Sequence, residues 1–235
     1  MKKVFSILIT TKNRLSDLKY TLNKIEYLLA REDVECIICD DGSEDGTFNF
    51  IQSEYPLIIL FKNDKSKGLI FSRNRLMEKV SGDYAISIDD DLHFLTLNPL
   101  EIIENYFKEN TKCGLQTFRI FWNLEPPLST ATKQSSEQVN SYAGGAHAYR
   151  MAAWNSIPEY PYWFIFYGEE SFASFNLFKK GWEIHYNPEI LVHHRVNLKA
   201  RKNNEDYRLR TRRSLRSGWY LFFLFVPLSL IPRKL

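Results

Sequence analysis

Cysteine is scarce in this chain: three residues in 235, an odd number. That excludes a disulfide framework and suits a reducing compartment. Cys36 and Cys39 are spaced as Cys-x-x-Cys, but no second pair follows to complete a zinc site, and an extended run would send them to opposite faces. They read as core residues. Long hydrophobic runs are also lacking. The most apolar stretch, near the C-terminus, covers about 13 residues, short of the roughly 20 that span a bilayer. Behind Lys2 and Lys3 the apolar run lasts only to Ile9, so no secretory leader is expected. A strong excess of one charge is missing as well: the net charge is +3. Nucleic acid is therefore not an expected partner of the chain as a whole. No internal repeat is evident. With 44% hydrophobic and 25% charged residues, the composition is that of one sizeable domain with at most an appendage.

What the chain does have is alternation. Residues 4–10 form a short β-rich run, and Leu15, Leu18, Leu22, Ile25 and Leu29 then repeat at helical spacing. The pattern predicts strands over residues 34–39, 57–61 and 84–89, with helices over 47–55 and 68–80 between them. Past Pro99 it weakens: a helix over 100–107, a strand over 115–121, and a polar loop over 126–141 of the kind that serves as a lid. Six aromatic residues crowd residues 160–167. A helix is expected over 168–180, then strands over 182–186 and 190–192. Strands alternating with helices give a single α/β domain, with a mostly parallel central sheet and helices on both faces. In such sheets the ligand site lies beyond the carboxyl ends of the strands.

Three polar clusters fall at those ends: Thr10-Thr11-Lys12-Asn13-Arg14, Asp40-Asp41-Gly42-Ser43 and Asp89-Asp90-Asp91. Each alone reads equally well as a polar turn. Together they would converge on one rim. In an extended chain Asp89 and Asp91 point the same way and Asp90 the other, a geometry for a divalent metal with oxygen ligands or, taken alone, a solvated acidic loop.

In this order the motifs resemble the large family of inverting, nucleotide-sugar-dependent glycosyltransferases with the A-type fold, the family 2-like, polysaccharide-building type. The resemblance covers nearly the whole of residues 4–195. It rests on the Thr10 to Arg14 turn, on Asp-Asp-Gly-Ser-x-Asp-Gly-Thr at Asp40 to Thr47, on Gly68-Leu69 with Arg73-Asn74, and on the Asp-x-Asp of Asp89 and Asp91. It implies an A-type catalytic domain over residues 1–195 with a Rossmann-like nucleotide-binding half. Thr10 and Asp41 would hold the nucleotide base and Arg73 would approach the base or diphosphate, with Asn13, Arg14 and Asp90 also on the nucleotide side. Asp89 and Asp91 would hold Mn²⁺ or Mg²⁺, joined by one of His193 and His194; adjacent strand residues face opposite ways, and the sequence leaves open which. An inverting transfer needs a general base, which the resemblance places at the Glu169-Glu170 pair opening a helix; Glu170 is the expected base. Gly145 and His147 match a segment near the transferred sugar, and Trp163 lies among aromatics that could stack on a sugar or fill the core. The family often continues the acidic pair with Asp and then Arg, where this chain has Phe172 and Asn176.

The resemblance thus implies a nucleoside-diphosphate sugar donor and a glycan or lipid-linked glycan acceptor, at a cytoplasmic location. A sugar-phosphate nucleotidyltransferase is the rival enzyme class, but residues 10–14 lack its Gly-rich, basic loop. A non-enzymatic polyanion-binding protein is the other rival. Residues 196–235 fall outside the main resemblance. From Arg195 to Arg216 nine Lys or Arg stand against Glu205 and Asp206, and the aromatic run from Trp219 follows. Basic residues beside such a run suggest a helix lying on the inner face of an anionic membrane. A contact with a second copy of the chain and packing on the domain are the alternatives.

Overall fold

The computed structural model describes residues 2–197, 205–227 and 229–230. Its first half is built on β1 (Phe5–Thr11), which pairs in parallel with β2 (Val34–Asp40) on one side and β4 (Tyr84–Asp89) on the other. β3 (Ile59–Lys62) extends the parallel set beyond β2. Alternation sorts each strand's side chains by face. Phe5, Ile7 and Ile9 pack with Leu18, Leu22, Ile25 and Leu28 of α1 (Leu15–Leu29) and with α2 (Thr47–Glu54), while Leu8 packs on the opposite face with α3 (Leu69–Met77). Fully burying one such side chain contributes about 1.5–3 kcal/mol, so the spacing of the leucines in α1 is reason enough for its seat. Cys36 and Cys39 go to opposite faces, and all three cysteines are free and buried.

Past β4 the chain makes two short additions, β5 (Leu92–Phe94) and α4 (Pro99–Glu109), and then completes the sheet. β6 (Cys113–Trp122), β8 (Ala146–Arg150) and β9 (Glu183–His194) give the order β3-β2-β1-β4-β8-β6-β9-β5, with β7 (Glu137–Val139) on β9. β8 runs antiparallel between β4 and β6, whereas β6 and β9 are parallel. α4 lies on the α1 face; α5 (Met151–Trp154) and α6 (Glu169–Lys179) lie on the α3 face. The domain is thus a single α/β unit, with a mostly parallel central sheet and helices on both faces.

Three elements differ from the sequence pattern. The polar stretch expected to be loop contains β7, which adds to β9. The two strands expected near residues 182–192 are one strand, whose register against β6 skips from Asn187 to Leu191; Pro188 sits in the skip, as it must, having no N–H to give the ladder. Leu57, expected inside a strand, is exposed ahead of β3.

The C-terminal helix α7 (Glu205–Phe225) lies against the domain. Tyr220 and Leu221 pack on the core of the α3 face, and Phe225 meets Phe172 and Phe175 of α6. Arg216 Nη2 donates to the Phe164 carbonyl at 2.7 Å, and the Ser217 hydroxyl to the Phe166 carbonyl at 3.4 Å. Gly168 makes this contact possible: its φ is 95°, and a Cβ there would stand 2.8 Å from Ser217 Cβ. Phe172, where the resemblance led one to expect an acidic residue, is therefore part of the seat of α7.

Candidate active site

The carboxyl ends of β1, β2 and β4 open into one cleft of about 660 Å³, as the sheet rule requires. Thr10, Asp41 and all three residues Asp89, Asp90 and Asp91 line it. At its centre Asp89, Asp91 and His194 offer one ligand atom each, all within 4.8 Å of one another. β5 explains how a residue a hundred positions away arrives there. Its antiparallel pairing puts Leu92 opposite His194, so His194 Nε2 comes 2.8 Å from Asp91 Oδ1 and 3.8 Å from Asp89 Oδ2. Burial pushes the Asp91 carboxyl up, but the bond and charge of His194 and the charge of Arg14 outweigh it and hold the carboxyl below its usual range. Two carboxylate oxygens and one imidazole nitrogen form a donor set that suits Mn²⁺ and similar divalent ions. His193 faces the other way, with Nε2 2.9 Å from the Asn123 carbonyl. Of the two histidines between which the sequence left the choice open, the structure brings His194 to the carboxylates.

Asp90 turns from this trio, as alternation demanded. It accepts the Thr11 hydroxyl at 2.8 Å and lies 3.2 Å from Arg14 Nε, while its backbone carbonyl accepts the Thr21 hydroxyl. Burial raises its carboxyl to about 7 against the pull of Arg14 and Thr11. Arg14 Nη2 also reaches Asp91 Oδ2 at 2.7 Å and Asp17 at 3.0 Å, so its charge is paired with the acidic cluster. Asn13, expected on the nucleotide side, works instead as a loop pin. With φ 51° it accepts the Glu44 N–H and donates its own N–H to Ser43.

Arg73, expected to approach the base or diphosphate, is turned toward the site's own carboxylates. It is buried outside the cleft lining, where Nη1 donates to Glu169 at 2.9 Å and Nη2 to the Gly144 carbonyl at 2.8 Å and Asp89 at 3.3 Å. Burial lowers its pKa, but Glu169, Asp89 and Glu170 outweigh burial and raise it, so Arg73 stays charged. Glu169 is buried with one carboxylate oxygen lacking a partner, and burial together with the Glu170 charge raises its pKa. Glu170, one helical step on, is partly exposed and 4.0 Å from Arg73. Neither glutamate lines the large cleft. The paired glycines explain how these groups pack: a Cβ on Gly144 would collide with Glu170 Oε1, and one on Gly145 would stand 2.7 Å from Asp89 Oδ2. The close backbone approach predicted there is to the site's own carboxylates. One dipeptide thus separates the acidic pair of α6 from the metal-type cluster.

At the other end of the cleft, both oxygens of Asp41 are taken by the chain. They accept Asn63 Nδ2, the Ser66 hydroxyl, and the N–H groups of Lys67 and Gly68 at 2.6–3.0 Å. Burial pushes this carboxyl up, and the four donors more than reverse it. Asp41 therefore shapes the loop leading into α3 as well as lining the cleft.

Two residues expected near the sugar are not part of the cleft lining. His147 is buried between Tyr142 and Tyr149, with ring centroids at 4.7 and 5.5 Å; burial, then the charge of Arg73, lowers its pKa to about 3. Trp163 packs on Phe164 and on Tyr220 of α7, half exposed and outside the cleft lining. Sequence reasoning missed Trp122, whose ring stacks 4.5 Å from that of His194 with 40% of the residue exposed. It also missed Ile165, Phe166 and Arg213, which close the cleft from the α7 side. Nothing local marks them, because only the β6–β9 pairing and the docking of α7 bring them in.

With this geometry in place, the likenesses to known proteins can be stated. The profile described as glycosyl transferase family 2 matches residues 6–161. The chain is 31% identical over 120 residues to the uncharacterized glycosyltransferase YfnE of Bacillus subtilis (strain 168), which covers 47% of this chain and 29% of that protein. It is 31% identical over 101 residues to a dolichol-phosphate mannosyltransferase of Pyrococcus furiosus, covering 42% and 27%. The chain thus aligns with less than a third of the length of these curated relatives. Among solved structures, the mannosyltransferase PcManGT of Pyrobaculum calidifontis, in complex with GDP-Man and Mn²⁺, superposes with a TM-score of 0.72 at 13% identity, over 99% of this chain and 68% of that one. At that identity the likeness is one of fold.

Proposed function

We propose, for a chain that belongs to glycosyl transferase family 2, that it moves a sugar with inversion from a nucleoside-diphosphate sugar to a hydroxyl acceptor. The observation that carries this reading is the placing of Asp89, Asp91 and His194 in a cleft at the strand ends, one Gly-Gly dipeptide from the Glu169-Glu170 helix start. Asp89, Asp91 and His194 would hold Mn²⁺ or Mg²⁺. Bound there, such an ion supplies Lewis-acid stabilisation of the charge that builds on the departing diphosphate.

The remaining work falls to the chain. Thr10 and the Asp41-braced loop form the wall for the nucleotide. Glu170 is the base: it is the more exposed of the pair, while Glu169 is held by Arg73. As the bond from the anomeric carbon to the diphosphate oxygen breaks, with its electron pair leaving on that oxygen, the acceptor oxygen bonds to the opposite face of the carbon. Its proton passes to Glu170. Arg73 bridges Glu169 and Asp89, offsetting their mutual repulsion, and fixes the Gly144 carbonyl, which holds the base at a set distance from the cluster.

The acceptor in this reading is a growing surface glycan or its lipid-linked form, met at the inner face of the cytoplasmic membrane. α7 favours that place: its outer side exposes Leu215, Trp219 and Phe223 beside Arg208 and Arg212. No helix among the described residues is long and apolar enough to cross a membrane, so contact would be with the surface.

A thermal-shift panel of nucleotide sugars, with Mn²⁺ and with chelator, tests the donor half. Stabilisation that requires both nucleotide and metal is expected; no metal-dependent shift with any nucleotide would sink it. Glu170→Gln should retain the shift and lose transfer by about a hundredfold or more, the usual scale for a general base. Full transfer by that variant would remove Glu170 from the mechanism.

A further inference from the structure

We propose that Arg213, carried into the cleft by α7, binds the diphosphate of the donor; this rests on the donor reading above. α7 lies outside residues 6–161, the span matched by the family profile, yet Arg213 lines the same cleft as Asp41 and Asp89. Its guanidinium sits over the Phe166 ring, 5.6 Å from the centroid. That contact places the group beside the ring without using its N–H fork. Among the described residues no carboxylate pairs with it. Arg14, the other arginine of the lining, is already held by Asp90 and Asp91.

The cleft needs such a group. Three aspartates at one end repel a diphosphate; Lys12 and Lys67 also line the cleft, but an ammonium is a point charge, and an arginine short of an anionic partner is the side chain best fitted to take phosphate oxygens in pairs. Its placement is built into the fold. Arg216 on the Phe164 carbonyl and buried Ser217 on the Phe166 carbonyl grip the backbone on either side of Ile165, so α7 is tied to the cleft wall.

Calorimetric titration of the full chain with UDP and GDP in Mn²⁺ decides the matter. Arg213→Ala should weaken whichever diphosphate the unaltered protein binds by about tenfold or more, the scale of a charge-assisted pair, while uridine or guanosine at millimolar concentration binds unchanged. Arg213→Lys should fall between, because a point charge replaces a fork. Arg213→Gln, which keeps part of the stem and a polar planar end but not the charge, repeats the test if the alanine variant loses its fold. Undiminished diphosphate binding by the variants overturns the assignment. So does an equal loss for nucleoside and diphosphate, which would make Arg213 a packing residue only. If the unaltered protein binds neither UDP nor GDP, the titration is run with the diphosphate of whichever nucleotide sugar stabilises it in the panel above; if none does, the donor reading itself fails and takes this one with it.

Discussion

Arg73 carries one positive charge among Asp89, Glu169 and Glu170, and it reaches them only because Gly144 and Gly145 have no side chains in the way. The sequence placed these residues near one another through motifs; it could not show that Arg73 faces inward, since a charged residue in a helix is by default a solvated one. His147 was placed near the sugar by the match of its segment to the family, and that match does not show how deeply its ring is buried. Its ring is instead a neutral core group, and the backbone of Ala143 and Gly144 pulls its pKa back up only slightly against burial. This has a consequence for stability. The folded pKa, about 3, lies below the unfolded value of roughly 6.5, so the unfolded chain takes up a proton that the native protein refuses. His147 therefore contributes stability that is complete above pH 6.5 and is lost as pH falls, with a limiting slope of about 1.4 kcal/mol per pH unit. His93, lowered to about 4 mainly by burial, adds to the same trend. In urea denaturation between pH 6 and 4, His147→Gln should give a flatter stability profile than the unaltered chain by about that slope. Parallel profiles would mean that His147 is charged, or accessible, in the native state.

At the level of elements, what was legible followed length and periodicity. α1 appears with the bounds its leucine spacing gave, and β1, β2 and β4 end where their polar clusters begin. What was missed is short. β5 and β7 have three residues each and α5 has four, too few for a period to register; they exist because β9 and β6 offer them an edge or a surface. α7 was legible as a helix but not as a wall of the cleft, since nothing in its own sequence names its seat. Gly168 and Gly181 provide a paired test of that seat. Both have positive φ, 95° and 80°, but a Cβ on Gly168 would meet Ser217 and the Phe164 ring at 2.8–3.1 Å, whereas one on Gly181 meets nothing within 4 Å. Gly181→Ala should cost only the left-handed backbone penalty, about 1–2 kcal/mol. Gly168→Ala should cost that plus overpacking, a further 1–3 kcal/mol or so. Equal costs in chemical denaturation would show that α7 is not packed at Gly168 in solution.

Taken whole, the molecule has two kinds of surface around one cleft. The strand-end motifs made the acidic end readable from sequence, because they fall in fixed order at the positions where a parallel sheet must present its loops. The opposite side was not readable, because Trp122 and Arg213 depend on pairings between distant segments. α7 links these scales: one side holds the cleft wall, and the other exposes Trp219 and Phe223, 50% and 53% accessible, on a helix that also carries Arg208 and Arg212. An apolar strip this wet is costly in water, and the adjoining arginines favour a covering that is anionic. Basic residues near an anionic leaflet contribute about 1 kcal/mol each, and buried aromatics add to this without needing a span. The full chain should therefore co-sediment with phosphatidylserine-containing vesicles, and less so in high salt, because charge attraction is screened. Trp219→Ser with Phe223→Ser should reduce sedimentation while leaving diphosphate binding intact, since both side chains point away from the cleft lining. Binding that ignores lipid charge and salt, or concentration-dependent dimerisation abolished by the same double substitution without vesicle binding, would assign the strip to a second copy of the chain.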